Sequence, residues 1–259
     1  MINSIKKKIK EWKVLNNFRP KWFSILFNPC FIISRHLFKE VKKFSQNYGG
    51  NKRILDVGCG TKPYKNLFQR DDYIGIDING GFHSDSKKTI DKFYNGQNIP
   101  YNNNSFDIVI STQVFEHVEY PEKLLKEIFR VLKNGGILFL TMPFVWPEHE
   151  IPYDFRRLTR FEHKRILEQN NFKIISIKPT SGAFGTCGQL ISSFFTEESS
   201  RFIVGRCKIK SKLFNYLFQK IIVLLICCPV QLFFMFLDLI FRKKGITLNY
   251  IITAQKMEI

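Results

Sequence analysis

Short apolar runs alternate with turns and with one clearly amphipathic segment along the middle of the chain. Residues 53–57 ("RILDV"), 73–78 ("YIGIDI") and 105–111 ("SFDIVIS") are apolar runs that end at glycine or a polar residue, which is typical of buried strands. Residues 121–136 ("PEKLLKEIFRVLKNGG") predict a helix with proline at its start, one apolar face and two glycines at its end. The apolar run that follows, "GILFLTMPF", is predicted to be another strand.

A turn with two glycines follows the first strand. Gly58 and Gly60 lack a β-carbon, so their backbone can take positive φ and contact a bound molecule. A strand, a glycine turn and a helix in that order form a nucleotide-binding arrangement, although such a turn can also merely connect a strand to a helix. Pro63 stands where the fingerprint G-x-G-x-x-G needs its third glycine, which favours a ligand without a diphosphate. Asp56, at the end of the strand, is then predicted to hold a cationic amine.

The second strand also ends in an acid. Asp77 follows the glycine turn by about 20 residues, the distance at which a second parallel strand brings a carboxylate to a ribose. One carboxylate can accept hydrogen bonds from both sugar hydroxyls. Residues 95–100 ("NGQNIP") are predicted to form a loop before the strand that contains Asp107.

Several of these segments together resemble a known family. "DVGCG" resembles the first motif of class I S-adenosylmethionine-dependent methyltransferases, D/E-x-G-x-G. The combination "SFDIVIS…FEHV…RVLKNGG…MP" resembles the methyltransferase type 11 group, which includes ubiquinone-biosynthesis enzymes and sugar or lipid O-methyltransferases. The resemblance runs from about residue 53 to residue 178.

The resemblance implies a fold and a cofactor. The fold is α/β, a Rossmann-like doubly wound seven-stranded sheet with an antiparallel last strand; "FKIISIKP" and "ITLNYIITAQK" resemble its sixth and seventh strands. The cofactor is S-adenosylmethionine. In the family an Asp reads the adenine amino group where this chain has Asn95. The residues predicted to bind the cofactor are Asp56, Gly58, Cys59, Gly60, Asp77, Ile78, Asn95 and Gln113.

The segments after the fourth and fifth strands are candidates for the acceptor site. "QVFEHVEYP" contains Glu116 and His117, and "PFVWPEHEIPYDFRRLT" is dense in ionisable and aromatic residues. The second segment resembles "HE-x-P-x-D-F-x-R-x-T" stretches of methyltransferases from surface-polysaccharide gene clusters. We predict His149 as general base, because imidazole exchanges protons near neutral pH. Arg157 is predicted to bind an acceptor phosphate or carboxylate, and Asp154 to orient either side chain. Purely structural roles are the alternative for each.

Cysteine spacing and the charge distribution indicate which kinds of site and which cell compartment fit this protein. The six cysteines show no C-x-x-C spacing and do not cluster with the five histidines, so no metal site or disulfide framework is predicted and a reducing compartment fits. The net charge of +18 is uneven: residues 1–53 carry +11, residues 54–199 carry −1 and residues 200–259 carry +8. The predicted catalytic core is nearly neutral between two basic flanks.

Both flanks interleave basic and apolar residues. Residues 2–13 predict a basic amphipathic helix suited to an anionic membrane surface, or a helix lying on the domain with solvated lysines. Residues 217–241 are long enough to cross a bilayer, which needs ~20 apolar residues. A single crossing would separate the last two strands, so we predict two short membrane-dipping helices that break at Pro229, with Lys220 and residues 242–244 among headgroups. Buried helices are the alternative.

These observations predict four regions. They are a basic helical region (1–50), a cofactor-binding core (51–182), a hydrophobic membrane-associating insertion (183–245) and the final strand (246–259). The favoured function is O-methylation of a lipid-linked glycan, glycolipid or quinone precursor at the cytoplasmic face of a membrane. The alternatives are an RNA methyltransferase that uses its basic flanks, and a non-catalytic cofactor-binding protein. Against RNA, "STQVF" stands where nucleic-acid methyltransferases carry (N/D)-P-P-(Y/F).

Overall fold

The computed structural model describes residues 17–79, 89–201, 212–241 and 245–258. The chain divides into two compact units, and each is described here by itself. A sheet unit comprises residues 40–179 and 249–259, and a helical unit comprises residues 1–39 and 180–248. Three sequence features lie outside the described residues: the predicted helix at 2–13, the basic residues 242–244 and Cys207.

Seven strands form one sheet in the order β3-β2-β1-β4-β5-β7-β6. The first five strands are parallel, and β7 runs antiparallel to both β5 and β6. This confirms the predicted Rossmann-like sheet with an antiparallel last strand. The strand bounds are β1 Arg53–Val57, β2 Asp72–Ile78, β3 Lys92–Tyr94, β4 Phe106–Thr112, β5 Leu132–Pro143, β6 Phe172–Pro179 and β7 Asn249–Lys256.

The parallel register places the ends of four strands at one edge of the sheet. Asp56 of β1 pairs with Gly75 of β2 and with Ile110 of β4, and β4 pairs with β5 up to Thr112 and Thr141. The strands are buried because their apolar side chains form one core cluster that includes Leu55, Val109, Leu138, Phe106 and Phe172. The loops that leave the carboxyl ends of β1, β2, β4 and β5 therefore meet beside one another.

Three helices contribute to the sheet unit, and two local predictions need correction. Helix α1 spans Phe31–Tyr48 and passes from the helical unit into the sheet unit; α2 spans Pro121–Val131 and α3 spans Arg160–Gln169. A single 3-10 turn, Lys65–Leu67, follows the glycine turn where a helix was predicted. The predicted stop at Gly135 and Gly136 lies inside β5, where the pairing with β4 shifts register and forms a bulge.

The helical unit contains an antiparallel pair of long helices. Helix α4 spans Ala183–Arg201; α5 (Lys212–Ile222), a π-helical turn (Val223–Cys227) and α6 (Cys228–Phe241) follow one another. A β-carbon at Gly188 of α4 would lie 2.5 Å from Cβ of Phe234, so the two backbones pack closely there. Further along α4, the Cys227 thiol donates to the Ser192 carbonyl at 3.5 Å. The contacts run in opposite directions along the two segments, which makes the pair antiparallel.

The predicted break at Pro229 is wrong. Residues Phe214–Phe241 form one continuous helical run of 28 residues, and among the described residues this run alone is long and apolar enough to cross a membrane. The π-helical turn already interrupts the regular hydrogen-bond ladder just before Pro229, so the missing N–H of proline causes no break. The antiparallel pair therefore consists of α4 and the α5–α6 run, and residues 202–211 connect them outside the described part of the chain.

Polar side chains lie inside this helical pair. Gln189 of α4 and Gln231 of α6 are both fully buried. Gln231 accepts a hydrogen bond from the Ile32 N–H at 3.2 Å, and Gln189 accepts one from the Ile33 N–H at 3.3 Å. These N–H groups belong to the first turn of α1, where no partner exists within the helix. The two glutamines therefore cap α1, although neither precedes it in sequence.

We expect Gln231→Leu to destabilise the protein, although leucine is the more apolar residue. The change leaves the Ile32 N–H and the Asn28 carbonyl without the bonds they make with Gln231, and each lost buried bond costs about 1–3 kcal/mol. Leu232→Gln is the matched control, because this neighbouring side chain is exposed. Chemical denaturation in mild detergent measures both variants, and equal stability of the two would contradict the capping role.

Candidate active site

The glycine turn after β1 is fixed to the end of β2. Gly58 and Gly60 both have positive φ, at 72° and 47°. The N–H groups of Gly58 and Cys59 donate to the Ile76 carbonyl at 2.9 and 3.1 Å, and the Gly60 N–H donates to the Asp77 carboxylate at 2.9 Å. Two neighbouring parallel strands thus share one compact turn.

The two glycines serve different purposes. A β-carbon at Gly58 would lie 2.4 Å from Cγ2 of Val114, so this glycine allows close packing inside the protein. A β-carbon at Gly60 would have no atom of the described residues within 4 Å, so these residues leave space beside this glycine. The Cys59 side chain is buried against Gly75, and only its backbone belongs to the turn.

Asp77 has remaining capacity to accept hydrogen bonds. Its Oδ2 accepts from Gly60 and its Oδ1 accepts from the Ile78 N–H at 2.8 Å, whereas an ionised carboxylate has about four acceptor positions. The Ile78 side chain is 45% exposed, and a β-carbon at Gly96 would lie 3.6 Å from its Cγ2. The Ile78 side chain therefore presents an apolar surface next to the Asp77 carboxylate.

Asp56 is a buried acid with one unpartnered oxygen. It is 3% exposed, its Oδ2 accepts a hydrogen bond from the Tyr73 hydroxyl at 2.5 Å, and its Oδ1 has no hydrogen-bond partner among the described residues. Burial raises the pKa of Asp56 to about 7, and the nearby Asp77 charge acts in the same direction, whereas the bond from Tyr73 acts against it. No cationic side chain among the described residues donates a hydrogen bond to this oxygen.

Lys62, which no sequence motif indicates, lies next to the glycine turn and helps to hold it in place. Lys62 is nearly buried, has a positive φ of 52° and forms an ion pair with Asp91, whose carboxylate also accepts from the Gly75 N–H at 2.7 Å. The Lys62 bond helps to lower the pKa of Asp91, against the raising effect of its partial burial. The Thr89 hydroxyl donates to the Gly60 carbonyl at 2.9 Å. The spacing of these residues follows no motif, so only the folded chain reveals the contact.

The side chains of Asn95 and Gln113 make hydrogen bonds within the protein, Asn95 to the loop after β3 and Gln113 to neighbouring strands of the sheet. Asn95 Oδ1 accepts from the N–H groups of Gln97 and Asn98 at 3.0 and 2.8 Å, which shapes the loop after β3. Gln113 donates to the Thr141 hydroxyl at 3.0 Å and accepts from the Asn249 amide at 2.8 Å. Gln113 thus joins β4, β5 and β7, and the cofactor contacts predicted for both side chains stay predictions.

A second cluster lies in the loops after β4 and β5. Glu116, in the 3-10 turn Phe115–His117, is fully buried, and neither of its carboxylate oxygens has a hydrogen-bond partner among the described residues. Burial raises the pKa of Glu116 to about 8. The Nε2 atom of His117 lies 3.9 Å from Glu116 Oε1 and 3.7 Å from Glu150 Oε2.

His117 and His149 face one another. Their ring centroids are 4.8 Å apart and the rings are nearly perpendicular. The Nδ1 atom of His117 is 2.8 Å from the Tyr153 carbonyl, and the Nδ1 atom of His149 is 3.2 Å from Asp154 Oδ2 and 3.3 Å from the Pro147 carbonyl. The partners of Nδ1 therefore leave Nε2 of each ring for other chemistry.

Asp154 and Arg157 form a tight pair beside His149. Arg157 donates to both carboxylate oxygens, at 2.5 and 2.7 Å, and this pairing lowers the pKa of Asp154 to about 2. Its terminal nitrogens also donate to the carbonyls of Arg156 and Pro147, so all four terminal N–H groups are engaged within the loop. This geometry favours a positioning role for Arg157 over the predicted acceptor-anion role.

Arg156 connects the two loops of the cluster. It donates to the carbonyls of Phe115, Val118 and Glu119, which surround the 3-10 turn after β4. The sequence indicated Glu116 and His117 as candidates but assigned them no role, because residues 32 or more positions apart meet only through the pairing of β4 with β5. All three predicted catalytic residues, His149, Asp154 and Arg157, lie together beside this pair.

Comparisons with known proteins agree with this fold. Residues 55–140 match the family described as a methyltransferase domain. The chain is 31% identical over 126 residues to the uncharacterized protein MJ0638 of Methanocaldococcus jannaschii, covering 48% of this chain and 54% of that protein. It is 30% identical over 117 residues to the mouse thiol S-methyltransferase TMT1B, covering 40% and 48%. The chain thus spans about half the length of these relatives.

A solved structure supports the same fold. Phosphoethanolamine N-methyltransferase 2 of Haemonchus contortus, determined in complex with S-adenosyl-L-methionine, has a TM-score of 0.52 at 15% identity, covering 95% of this chain and 60% of that one. At this identity the likeness concerns the fold alone. Together with the glycine turn and the match of residues 55–140 to a methyltransferase domain, it supports a class I S-adenosylmethionine-dependent methyltransferase domain in this chain.

Proposed function

We propose that the protein transfers a methyl group from S-adenosylmethionine to an oxygen of a membrane-associated acceptor, such as a lipid-linked glycan, a glycolipid or a quinone precursor. The observation that carries the choice of acceptor is the helical unit, which buries polar side chains and exposes apolar ones. An acceptor with a lipid part is held at the same surface as an enzyme with such a unit. The catalytic cluster beside β4 and β5 supports oxygen as the methylated atom.

The residues around the glycine turn fit the methyl donor. Gly60 has room for a ligand among the described residues, Asp77 retains acceptor positions for the two ribose hydroxyls, and Asp56 has a buried oxygen without a hydrogen-bond partner among those residues. The α-ammonium group of the methionine part supplies such a cation. When bound, the cofactor provides a methyl group already activated by its sulfonium, so the protein mainly aligns the acceptor and removes a proton.

The apolar surface of Ile78 beside Asp77 fits the base of the cofactor. Ile78 is exposed next to the carboxylate, and Gly96 adds no side chain on the other side. Asn95 holds this loop in shape through its two backbone bonds, which supports an indirect role toward adenine. Gly58 and Cys59 contribute backbone geometry, and Gln113 fixes the strand ends behind the site.

The second cluster supports activation of a hydroxyl. A hydroxyl acceptor must lose its proton as the methyl group is transferred, and a positioned side chain that assists typically contributes 10²–10⁴-fold. Asp154 lies beside Nδ1 of His149, and Arg157 holds Asp154 in place. The general-base role of His149 stays a prediction, and it requires Nε2 to face the acceptor.

The surface of the α5–α6 run supports a membrane partner. Its exposed side chains include Leu225, at 67% exposure, and Leu239, at 66%. Patches of this kind on soluble proteins mark interaction surfaces, and a bilayer accepts long aliphatic side chains without specific contacts. The other large exposed apolar residues of this run are Phe214, Tyr216, Leu217, Ile221, Leu224, Leu232, Phe233, Phe236, Ile240 and Phe241.

Substitution of the two glycines separates cofactor contact from packing. Gly60→Ala adds a methyl group with no atom of the described residues within 4 Å, so we expect a stability loss of about 1–2 kcal/mol from the left-handed backbone and a clear loss of cofactor affinity. Gly58→Ala has the same backbone cost plus overpacking against Val114 of about 1–3 kcal/mol. Calorimetry with S-adenosylhomocysteine and thermal denaturation measure both. Unchanged affinity in Gly60→Ala would remove the turn from the cofactor site.

Asp56 makes cofactor affinity depend on pH. Only the ionised carboxylate attracts the ammonium group, and the pKa of Asp56 is raised to about 7. We therefore expect the affinity for S-adenosylmethionine to be full above pH 8 and to fall below pH 7, approaching about tenfold per pH unit. Asp56→Asn keeps a hydrogen-bonding partner for Tyr73 and should bind weakly with a flat profile. A flat profile in the unsubstituted protein would place the ammonium group elsewhere.

Labelled methyl transfer tests the acceptor class. Purified protein, cell membranes and methyl-labelled S-adenosylmethionine should yield label in the lipid extract, and liposomes with anionic lipid should sediment the protein. Leu225→Glu with Leu239→Glu should weaken sedimentation at least about tenfold, because each charge opposes insertion. Lys164→Glu, an exposed residue of the sheet unit, changes the net charge equally and is the control. Label in RNA, or a protein that never sediments, would contradict the proposal.

A further inference from the structure

Glu116 is a buried acidic side chain of the sheet unit, and no hydrogen bond among the described residues compensates for its burial. It is fully buried, both of its carboxylate oxygens lack a hydrogen-bond partner among the described residues, and Oε1 points toward Nε2 of His117. A buried ionised carboxylate without a partner is unfavourable by several kcal/mol, so the group either keeps a proton or is neutralised by a cation. The charge of Arg157 acts to lower the pKa of Glu116, but its guanidinium is paired with Asp154.

Three ligand groups converge at this point. One ligand atom from each of Glu116, His117 and His149 lies within 4.8 Å of the others. Ligands of one ion at about 2.1 Å are separated by roughly 3–4 Å, so small side-chain rotations close the cluster to a binding site. Two imidazoles and one carboxylate form a ligand set that zinc and non-haem iron use in proteins.

The groups that contact the Nδ1 atoms of the two imidazoles are of the kind found at metal sites. Metal-bound imidazoles almost always use their other nitrogen for a carboxylate or a carbonyl, which fixes the tautomer and the ring. The Tyr153 carbonyl holds Nδ1 of His117, and Asp154 and the Pro147 carbonyl lie at Nδ1 of His149. Nε2 of His117 then faces the carboxyl groups of Glu116 and Glu150, which neutralise a bound cation in their ionised forms.

We propose that Glu116, His117 and His149 bind one divalent transition-metal ion. Two nitrogen ligands disfavour Mg²⁺ and Ca²⁺, which prefer oxygen, and favour Zn²⁺, Co²⁺, Fe²⁺ or Mn²⁺. The sequence predicts no metal site, because its cysteines have no metal-ligand spacing and do not cluster with its histidines. The role of the ion rests on the proposed function: it lies in the predicted acceptor site, where a positive charge promotes ionisation of a hydroxyl. His149 is then a ligand rather than a base.

Metal titration without cofactor or acceptor tests the site. Protein without a polyhistidine tag, stripped with a chelator, is titrated with Co²⁺ by visible absorption and with Zn²⁺ by competition. We expect one ion per chain and no competition from Mg²⁺. Glu116→Gln, His117→Ala and His149→Ala should each weaken binding by more than the about 10- to 100-fold that loss of an outer-shell partner costs. Glu148→Gln, an exposed neighbour, is the matched control and should bind normally.

The outcomes separate this inference from the proposed function. Circular dichroism and calorimetry with S-adenosylhomocysteine on the same variants check that fold and cofactor site persist. Absent stoichiometric binding, or binding that Glu116→Gln leaves unchanged, overturns the metal site even where methyl transfer occurs. In transfer assays a metal role predicts that all three substitutions lower turnover alike, whereas loss in His149→Ala alone overturns it in favour of a base.

Discussion

The hydrogen bond from the Gly60 N–H to the Asp77 carboxylate joins the ends of two parallel strands. It fixes the turn after β1 against the end of β2, and the bonds from Gly58 and Cys59 to the Ile76 carbonyl extend the same connection. Because β1 also pairs with β4, the position of this turn determines where the loop after β4 begins. The candidate cofactor site and the Glu116 cluster therefore share one edge of one sheet.

Two buried carboxylates lie along this edge, and both lack a complete set of partners. Asp56 has one bond from Tyr73 and one unpartnered oxygen, and Glu116 has two unpartnered oxygens. Burial raises the pKa of each side chain, which means that the protein alone disfavours their ionised forms. A cation at each position removes this cost, so the free energy of binding the cofactor ammonium group or a metal ion also stabilises the fold. Strain of this kind is typical of functional sites.

The sequence predicted the sheet and the first half of the site because both depend on local patterns. The apolar runs, the spacing from Gly60 to Asp77 and the positions of His149 and Asp154 all follow from motifs. Contacts that follow no motif could not be predicted from the sequence. Lys62 forms an ion pair with Asp91 across the glycine turn, and Arg156 joins the loop after β5 to the 3-10 turn after β4 through hydrogen bonds. The predicted break at Pro229 failed because a preceding π-helical turn accommodates the proline, which the sequence pattern does not indicate.

The helical unit buries polar side chains together with its apolar core and exposes large apolar side chains on its surface. Gln189, Ser192 and Gln231 are fully buried, while Leu225 and Leu239 face outward. In water both features are unfavourable in free energy, because buried polar groups lose their hydration and exposed apolar groups are in contact with water. In a bilayer the same arrangement is favourable, because buried polar groups join helices and exposed aliphatic groups meet lipid. The capping of α1 by Gln189 and Gln231 shows that these two buried side chains make specific contacts with the first turn of that helix.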